Sequence, residues 1–312
     1  MEIRDIDEGN ILVSSDIQGN WDDYRRVRDR FDILKKEGRA DILVFDGDLV
    51  HGYTGYEDKS LEILDDLIDN QDQSVIPILG NHEFMHIYHM KIGKGNIEDI
   101  AGPLEDRIED SGKGRERYVT LMKQMPYAIR TKGGVTILHT GANPPMAGML
   151  ANEGYRGLLE KTDGFELIES LDHDLLLNEL TKVAKKIDGL SESYFDDGYL
   201  PVVGNIFSQS DIGAYLWDVF FNGNEVEYGR GEYNLMLGKF LKTMSHNNRE
   251  QRFLVAGHMK AKEGYEVVLE RQLRISTSEG AKDDSKKTLA LVDAARKYLN
   301  IDELVKDLVL LF

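Results

Sequence analysis

The chain has 312 residues, 38 of them basic and 56 acidic, which gives a net charge of −18 at pH 7 with histidines neutral. That balance argues against a nucleic-acid scaffold or an anionic-membrane binder, because both partners require a basic face. The absence of cysteine excludes a disulfide scaffold, a thiolate zinc site and a cysteine nucleophile, and suits a reducing, cytoplasmic setting. No apolar run is long enough to span a membrane, and the N-terminus lacks the apolar stretch of a signal peptide.

In chain order, Ile11–Ser15 predicts a short strand and Trp21–Lys36 a charged helix. Asp41–Phe45 predicts a second strand, Glu57–Asn70 a helix, and Ser74–Leu79 a third strand. Strand, helix and strand recurring at about 30 residues indicate βαβ units and a parallel sheet. Two further strands fit Ala128–Thr131 and Val135–His139, separated by Gly133–Gly134. From about 148 to 210 the apolar spacing turns helical, which predicts an acidic helical insertion or cap within a single catalytic domain of residues 1–312. Helices then fit Asp211–Phe221 and Tyr233–His246. A strand at Phe253–Ala256, a hairpin of Glu266–Leu269 with Leu273–Ser276, and a strand at Thr288–Val292 follow. Leu304–Phe312 is ambiguous between strand and helix.

Each of the first three strands ends in residues that can bind metal: Ser15-Asp16-Ile17-Gln18-Gly19-Asn20, Asp46-Gly47-Asp48-Leu49-Val50-His51, and Gly80-Asn81-His82-Glu83. In an open parallel sheet the carboxyl ends of neighbouring strands converge on one crevice, so Asp16, Asp48, Asn81 and His82 are expected to meet there. Two later strands end alike, at His139-Thr140-Gly141 and Gly257-His258. Carboxylate, amide and imidazole donors together suit manganese, iron or zinc better than calcium. Two such ions sharing a carboxylate are an arrangement that activates water against a phosphorus centre.

These five motifs, in this order, resemble the calcineurin-like metallophosphoesterases, and within them the phosphoprotein phosphatase (PPP) family of serine/threonine phosphatases. That family reads Gly-Asp-x-His-Gly, Gly-Asp-x-x-Asp-Arg-Gly, Gly-Asn-His-Glu, His-Gly-Gly and a late His. The likeness covers roughly residues 10–145 and 211–292. Gly229-Arg230-Gly231 is similar to the family's Arg-Gly before a long helix, and Gly257-His258-Met259-Lys260 favours the PPP branch over relatives with Gly-His-x-His. The resemblance implies an α/β fold, a metallophosphoesterase-like β-sandwich of mixed sheets flanked by helices. It also implies two divalent ions, manganese foremost with iron or zinc as alternatives. Asp16, Gln18 and the shared Asp48 would hold the first ion; Asp48, Asn81, His139 and His258 would hold the second. A hydroxide bridging the ions would attack phosphorus, His82 would protonate the leaving oxygen, and Arg230 with Asn81 would hold the phosphate. The implied partner is a phosphorylated protein or a small phosphoester.

Three positions depart from the family pattern. Gln18 replaces a metal-one histidine, His51 the aspartate that orients the acid histidine, and Gly52 a phosphate-clamping arginine. Losing one charged clamp weakens phosphate binding by roughly 1.5–3 kcal/mol. Two other readings therefore stand beside a phosphomonoesterase: a nucleotide polyphosphate or phosphodiester hydrolase, and a binding module on a decayed phosphatase scaffold. Apart from the expected ligands, His51 reads as structural or solvated, His86 and His89 as packing or surface residues on the helix after His82, and Met85, Met90, Met122, Met125, Met146 and Met149 as gap-filling core.

Overall fold

The structure, a computed structural model, describes residues 2–52, 56–88, 90–91, 100–142, 200–201 and 223–312. The insertion expected at 148–210, apart from the strand residues Leu200–Pro201, and the helix expected at Asp211–Phe221 lie outside the described residues. So do His89, Met146 and Met149.

Alternating burial sorts the strands into two facing sheets. In one, β2 (Asn10–Ser15), β3 (Ile42–Asp46) and β4 (Val75–Ile78) run parallel, as the βαβ spacing predicts. On the other side of β2, β12 (Thr288–Asp293) runs antiparallel, followed by β13 (Leu308–Leu310), also antiparallel. The second sheet has the order β1 (Ile3–Ile6), β6 (Ala128–Thr131), β7 (Val135–Ile137), β9 (Phe253–Ala256), β11 (Gln272–Ile275) and β10 (Tyr265–Val268). It too is mixed: β7, β9 and β11 run parallel, whereas β6–β7 and β10–β11 are antiparallel hairpins. The fold is a sandwich of two mixed sheets flanked by helices. A third, two-stranded ladder pairs β5 (Met90–Lys91) with β8 (Leu200–Pro201).

Strand residues alternate between two cores. Ile11, Val13, Val44, Ile76 and Ile78 meet Ile137, Phe253, Val255, Leu273 and Ile275 in the layer between the sheets. The intervening Leu12, Leu43 and Phe45 face α1 (Trp21–Lys36) and α2 (Ser60–Asp69) through Tyr24, Val27, Phe31, Ile63 and Leu64. After the single-turn α6 (Glu225–Tyr228), on the outer face of the other sheet, α7 (Arg230–Met244) packs Leu237, Phe240 and Leu241 against the same core as Leu254 and Ala256. Helix α1 has physical start and stop signals. The Asn20 side chain accepts from the Asp23 N–H, Asp22 and Asp23 sit at the positive end, and Lys35 and Lys36 at the negative end.

Several elements differ from the sequence expectation. Helices α4 (Gly102–Asp110) and α5 (Arg115–Gln124) fall where the sequence patterning predicts no element; they bury Leu104 and Ile108, and Tyr118, Val119 and Met122, among charged neighbours. The ambiguous C-terminus is both structures in turn, helix α8 (Ile301–Lys306) and then β13. Met85, Met122 and Met125 are buried core, as expected.

The layer between the sheets fixes where the strand ends lie, so its packing is the stability determinant that matters most to the site. Ile137→Ala removes a fully buried side chain from this layer and is expected to cost about 2–5 kcal/mol in urea unfolding. Leu235→Ala, at a residue 67% exposed on α7, is expected to stay within about 0.5 kcal/mol.

Candidate metal centre and active site

The carboxyl ends of β2, β3, β4, β7 and β9 deliver Asp16, Asp48, Asn81, His139 and His258 to one edge of the sandwich. The crevice therefore takes ligands from both sheets, not from one parallel sheet. A carboxylate oxygen of Asp48 and ring nitrogens of His139 and His258 all lie within 4.8 Å of one another. Asn81 Oδ1 joins them, 3.0 Å from His139 Nε2 and 3.1 Å from His258 Nδ1. His139 Nε2 also lies 3.1 Å from Asp48 Oδ1.

The second shell sets the tautomer of His139. Its Nδ1 lies 2.7 Å from the Asp46 carbonyl, which can only accept, so Nδ1 carries the hydrogen and Nε2 is the nitrogen that could coordinate a metal. Burial alone would lower the pKa of this imidazole. The carboxylates of Asp48, Asp16 and Asp46 outweigh burial and push it up to about 10. The imidazolium thus occupies the electrostatic role of a cation in the cage, and a metal ion would displace its proton. Asp48 shows the reciprocal balance: burial would raise its pKa, but His139, His82 and His258 hold it well below the usual range.

On the other side of Asp48 the donor set is poorer. Asp16 accepts from the His258 N–H at 2.9 Å, and burial raises its carboxyl to about 6. Gln18 is buried beside it. Its N–H donates to the Asp48 carbonyl at 2.8 Å and its own carbonyl accepts from the Tyr56 hydroxyl at 2.7 Å. The Gln18 side-chain amide makes no hydrogen bond among the described residues.

Two acidic residues escape a motif-based reading. Asp46 is fully buried, and neither carboxylate oxygen is hydrogen-bonded among the described residues. The Gly257 N–H faces it but is satisfied at 3.1 Å by the His139 carbonyl. Burial, with Asp16 and Asp48 nearby, pushes Asp46 up to about 8 against the pull of His139. A buried carboxyl in this state calls for a proton or a cation, so the donor set fits a divalent ion. The signal in the sequence was an acid one residue before the Gly47-Asp48 pair. Glu83 has a different task. It accepts from the N–H groups of Asp48, Leu49, Val50 and Gly80 at 2.8–3.3 Å, clamping the β3 loop onto α3 (Asn81–Ile87).

The backbone is bent to aim these groups. Asp16, Gln18, Asp48, His51 and His258 all have left-handed φ, between 48° and 69°. Such conformations cost about 1–3 kcal/mol each for non-glycine residues and cluster at functional sites. Gly47, at φ 73°, is required for a second reason: a Cβ there would lie 2.5 Å from the His139 ring.

His82, on the first turn of α3, has its Nδ1 2.9 Å from the Val50 carbonyl and its Nε2 3.4 Å from Asp48 Oδ2. His51 is buried, not solvated, with its ring 4.8 Å from that of His82. His86 is likewise buried and hydrogen-bonded. Arg230 belongs to a different element of the fold. It opens α7, is exposed, and lines a groove of about 1150 Å³ with Asn234, Lys242, Arg252 and Arg271; no ion pair among the described residues joins it to the buried carboxylates.

The family model for calcineurin-like phosphoesterases matches residues 9–200. No curated protein matches the sequence significantly. Among solved structures, a cold-active protein-tyrosine phosphatase of a psychrophilic Shewanella species is similar at 12% identity and TM-score 0.51, covering 95% of this chain and 78% of that one. A point mutant of a cold-active protein tyrosine phosphatase gives 12% identity, TM-score 0.52 and the same coverage. A protein serine/threonine phosphatase from Saccharomyces cerevisiae is similar at 13% identity and TM-score 0.45, covering 98% and 82%. At these identities the likeness of the two cold-active structures is one of fold alone. The family match extends over more than half of the sequence and takes in the first four strand-end motifs, so the chain belongs to the calcineurin-like phosphoesterases, metal-dependent hydrolases of phosphoesters.

Proposed function

We propose that this chain hydrolyses phosphomonoesters, with phosphoserine and phosphothreonine in proteins as the substrate class, and that it uses two divalent ions, manganese foremost. The observation that carries this reading is the placement of His82, a buried imidazole beside the shared carboxylate Asp48. In the proposed assignment Asp48, Asn81, His139 and His258 hold one ion, and Asp16, Asp48 and Gln18 the other. The ions would supply Lewis acidity, an activated water and neutralisation of phosphoryl charge.

The protein groups do the rest. Because the Val50 carbonyl engages His82 Nδ1, the exchangeable proton sits on Nε2, the nitrogen turned toward Asp48. From there it can pass to the departing oxygen, whose negative charge grows as the bond to phosphorus breaks. In this assignment the side-chain amide of Asn81, the first residue of α3, would donate to the bound phosphate. Arg230 is proposed as the cation that meets the substrate's phosphate.

One observation favours the phosphodiester or nucleotide reading as a second choice. A Cβ at Gly52 would lie 3.0 Å from the Tyr56 ring and 3.2 Å from the Gln18 carbonyl, so a clamping arginine side chain would be crowded at this position. Relative turnover of p-nitrophenyl phosphate and its bis ester separates the two.

His82→Ala is expected to lower turnover of a phosphoserine peptide by roughly 10²–10⁴-fold with metal content unchanged, and to lower that of p-nitrophenyl phosphate less, since nitrophenolate leaves without a proton. Equal losses on both esters would remove His82 from the acid role. The donor sets also make the two ions unequal. A neutral amide oxygen is a poorer donor than imidazole to transition metals, so calorimetry of metal-free protein should resolve one tight and one weak manganese site. Gln18→His should tighten the weak one, and two equally tight sites in the natural sequence would contradict the assignment of Gln18.

A further inference from the structure

Behind His82, away from the metal donors, a continuous line of buried polar side chains runs toward the surface. The His51 ring lies between two others, 4.8 Å from His82 and 4.8 Å from His86. His51 Nε2 and His86 Nε2 are 2.6 Å apart. His86 Nδ1 lies 2.7 Å from Glu105 Oε1, and Arg115 Nε donates to Glu105 Oε2 at 2.9 Å. Arg115 also donates to the His86 carbonyl. His51, His82, His86 and Glu105 are between 1% and 6% exposed. Four separate pieces of chain build the line. His82 and His86 are one turn apart on α3, His51 is in the loop after β3, Glu105 is on α4, and Arg115 opens α5.

Hydrogen-bond chemistry makes the line directional. The Glu105 carboxylate can only accept, so His86 Nδ1 carries a hydrogen. Two imidazole nitrogens at 2.6 Å must share one proton, so the state of His86 Nε2 decides whether His51 donates or accepts there. Glu105 thus fixes the hydrogen-bonding state of His86 and, through the shared proton, that of the His51 ring beside His82. Burial works to raise the Glu105 carboxyl, but His86 and Arg115 outweigh it and hold it at about 2, so the line ends in a fixed negative charge. The His51 N–H donates to Ser60 Oγ at 2.8 Å, and Ser60 bonds Asp58, which holds the loop that carries the ring.

We propose that His51, His86 and Glu105 form a positioning relay for His82, in which a carboxylate two imidazoles away fixes the ring against which the acid histidine packs. The inference rests on the phosphomonoesterase reading and goes further, by assigning a role to three residues outside the proposed metal and substrate ligands. It accounts for His51 and His86 together: the short Nε2–Nε2 contact needs both, and it needs Glu105 to fix the proton between them.

The test uses the full-length protein loaded with manganese and compares kcat and KM for a phosphoserine peptide and p-nitrophenyl phosphate. Glu105→Gln removes the charge at nearly constant shape. It should lower kcat for the peptide about 10–100-fold, the usual consequence of losing an outer-shell partner. KM and metal content should hold, and p-nitrophenyl phosphate should be much less affected. Glu105→Asp should recover part of the loss. In a His51→Asp background, where a carboxylate stands directly beside His82, Glu105→Gln should have no further effect. The imidazole ¹⁵N spectrum of the metal-free protein gives a readout independent of turnover: the His86 Nδ1–H signal should be present in the natural sequence and lost or shifted in Glu105→Gln. Equal losses on both esters, no loss on either, an unchanged His86 signal, or full sensitivity to Glu105→Gln in the His51→Asp background would each overturn the relay. Natural protein that hydrolyses neither ester would overturn the phosphomonoesterase reading and the relay with it, whereas turnover without the predicted selectivity overturns the relay alone.

Discussion

Four buried carboxyl groups, Asp16, Asp46, Asp48 and Glu83, crowd one edge of the sandwich, and none forms an ion pair with a lysine or arginine among the described residues. Burying charge without a counter-charge is among the most unfavourable arrangements a protein interior can hold. The surroundings ease it in different ways. Glu83 collects four backbone N–H groups, and Asp48 takes the His82 N–H from the N-terminus of α3 and the imidazoles of His82 and His139. Asp16 takes a backbone N–H, and Asp46 takes no hydrogen bond among the described residues. What remains uncompensated is the electrostatic case for divalent cations, and it arises from the protein alone.

That requirement explains features of the fold that packing does not. Five non-glycine residues of the site hold left-handed backbone, each at a cost of the order of 1–3 kcal/mol, so the strand ends are bent toward one point against local preference. Gly47 and Gly257 stand where a side chain would collide with the His139 ring and with the Asp16 carboxylate. The two sheets must also be held in register with each other, because Asp16, Asp48 and Asn81 come from one and His139 and His258 from the other. The apolar layer between them, including Val13, Val44, Ile137 and Val255, is thus part of the metal site's architecture at one remove.

Much of this was legible in the sequence. Strand-end placement of Asp16, Asp48, Asn81, His139 and His258 follows from apolar runs that stop at Gly-rich polar turns, and those runs are strands. Neither the antiparallel return of β12 onto β2 nor the contribution of the second sheet is encoded in local periodicity; both depend on pairings between distant segments. The burial of Asp46 and of Glu105 depends on the fold in the same way. An acid before Gly-Asp, or in a charged helix such as α4, looks like a solvated residue until the fold buries it. His51 and His86 read as bland residues because they are 35 positions apart in the chain, and the 2.6 Å contact that pairs them exists only after α3 folds against the β3 loop.

The central claim is that the buried carboxylates and imidazoles form a paired cation site. Anomalous diffraction from crystals soaked in manganese tests it most directly. The account predicts a strong peak within the cage of Asp48, Asn81, His139 and His258, and a weaker one on the Asp16 side of Asp48 that grows with manganese concentration. Crystals that diffract well and show no manganese at this edge of the sandwich, with Asp46 and Asp48 left among the imidazoles alone, would contradict it.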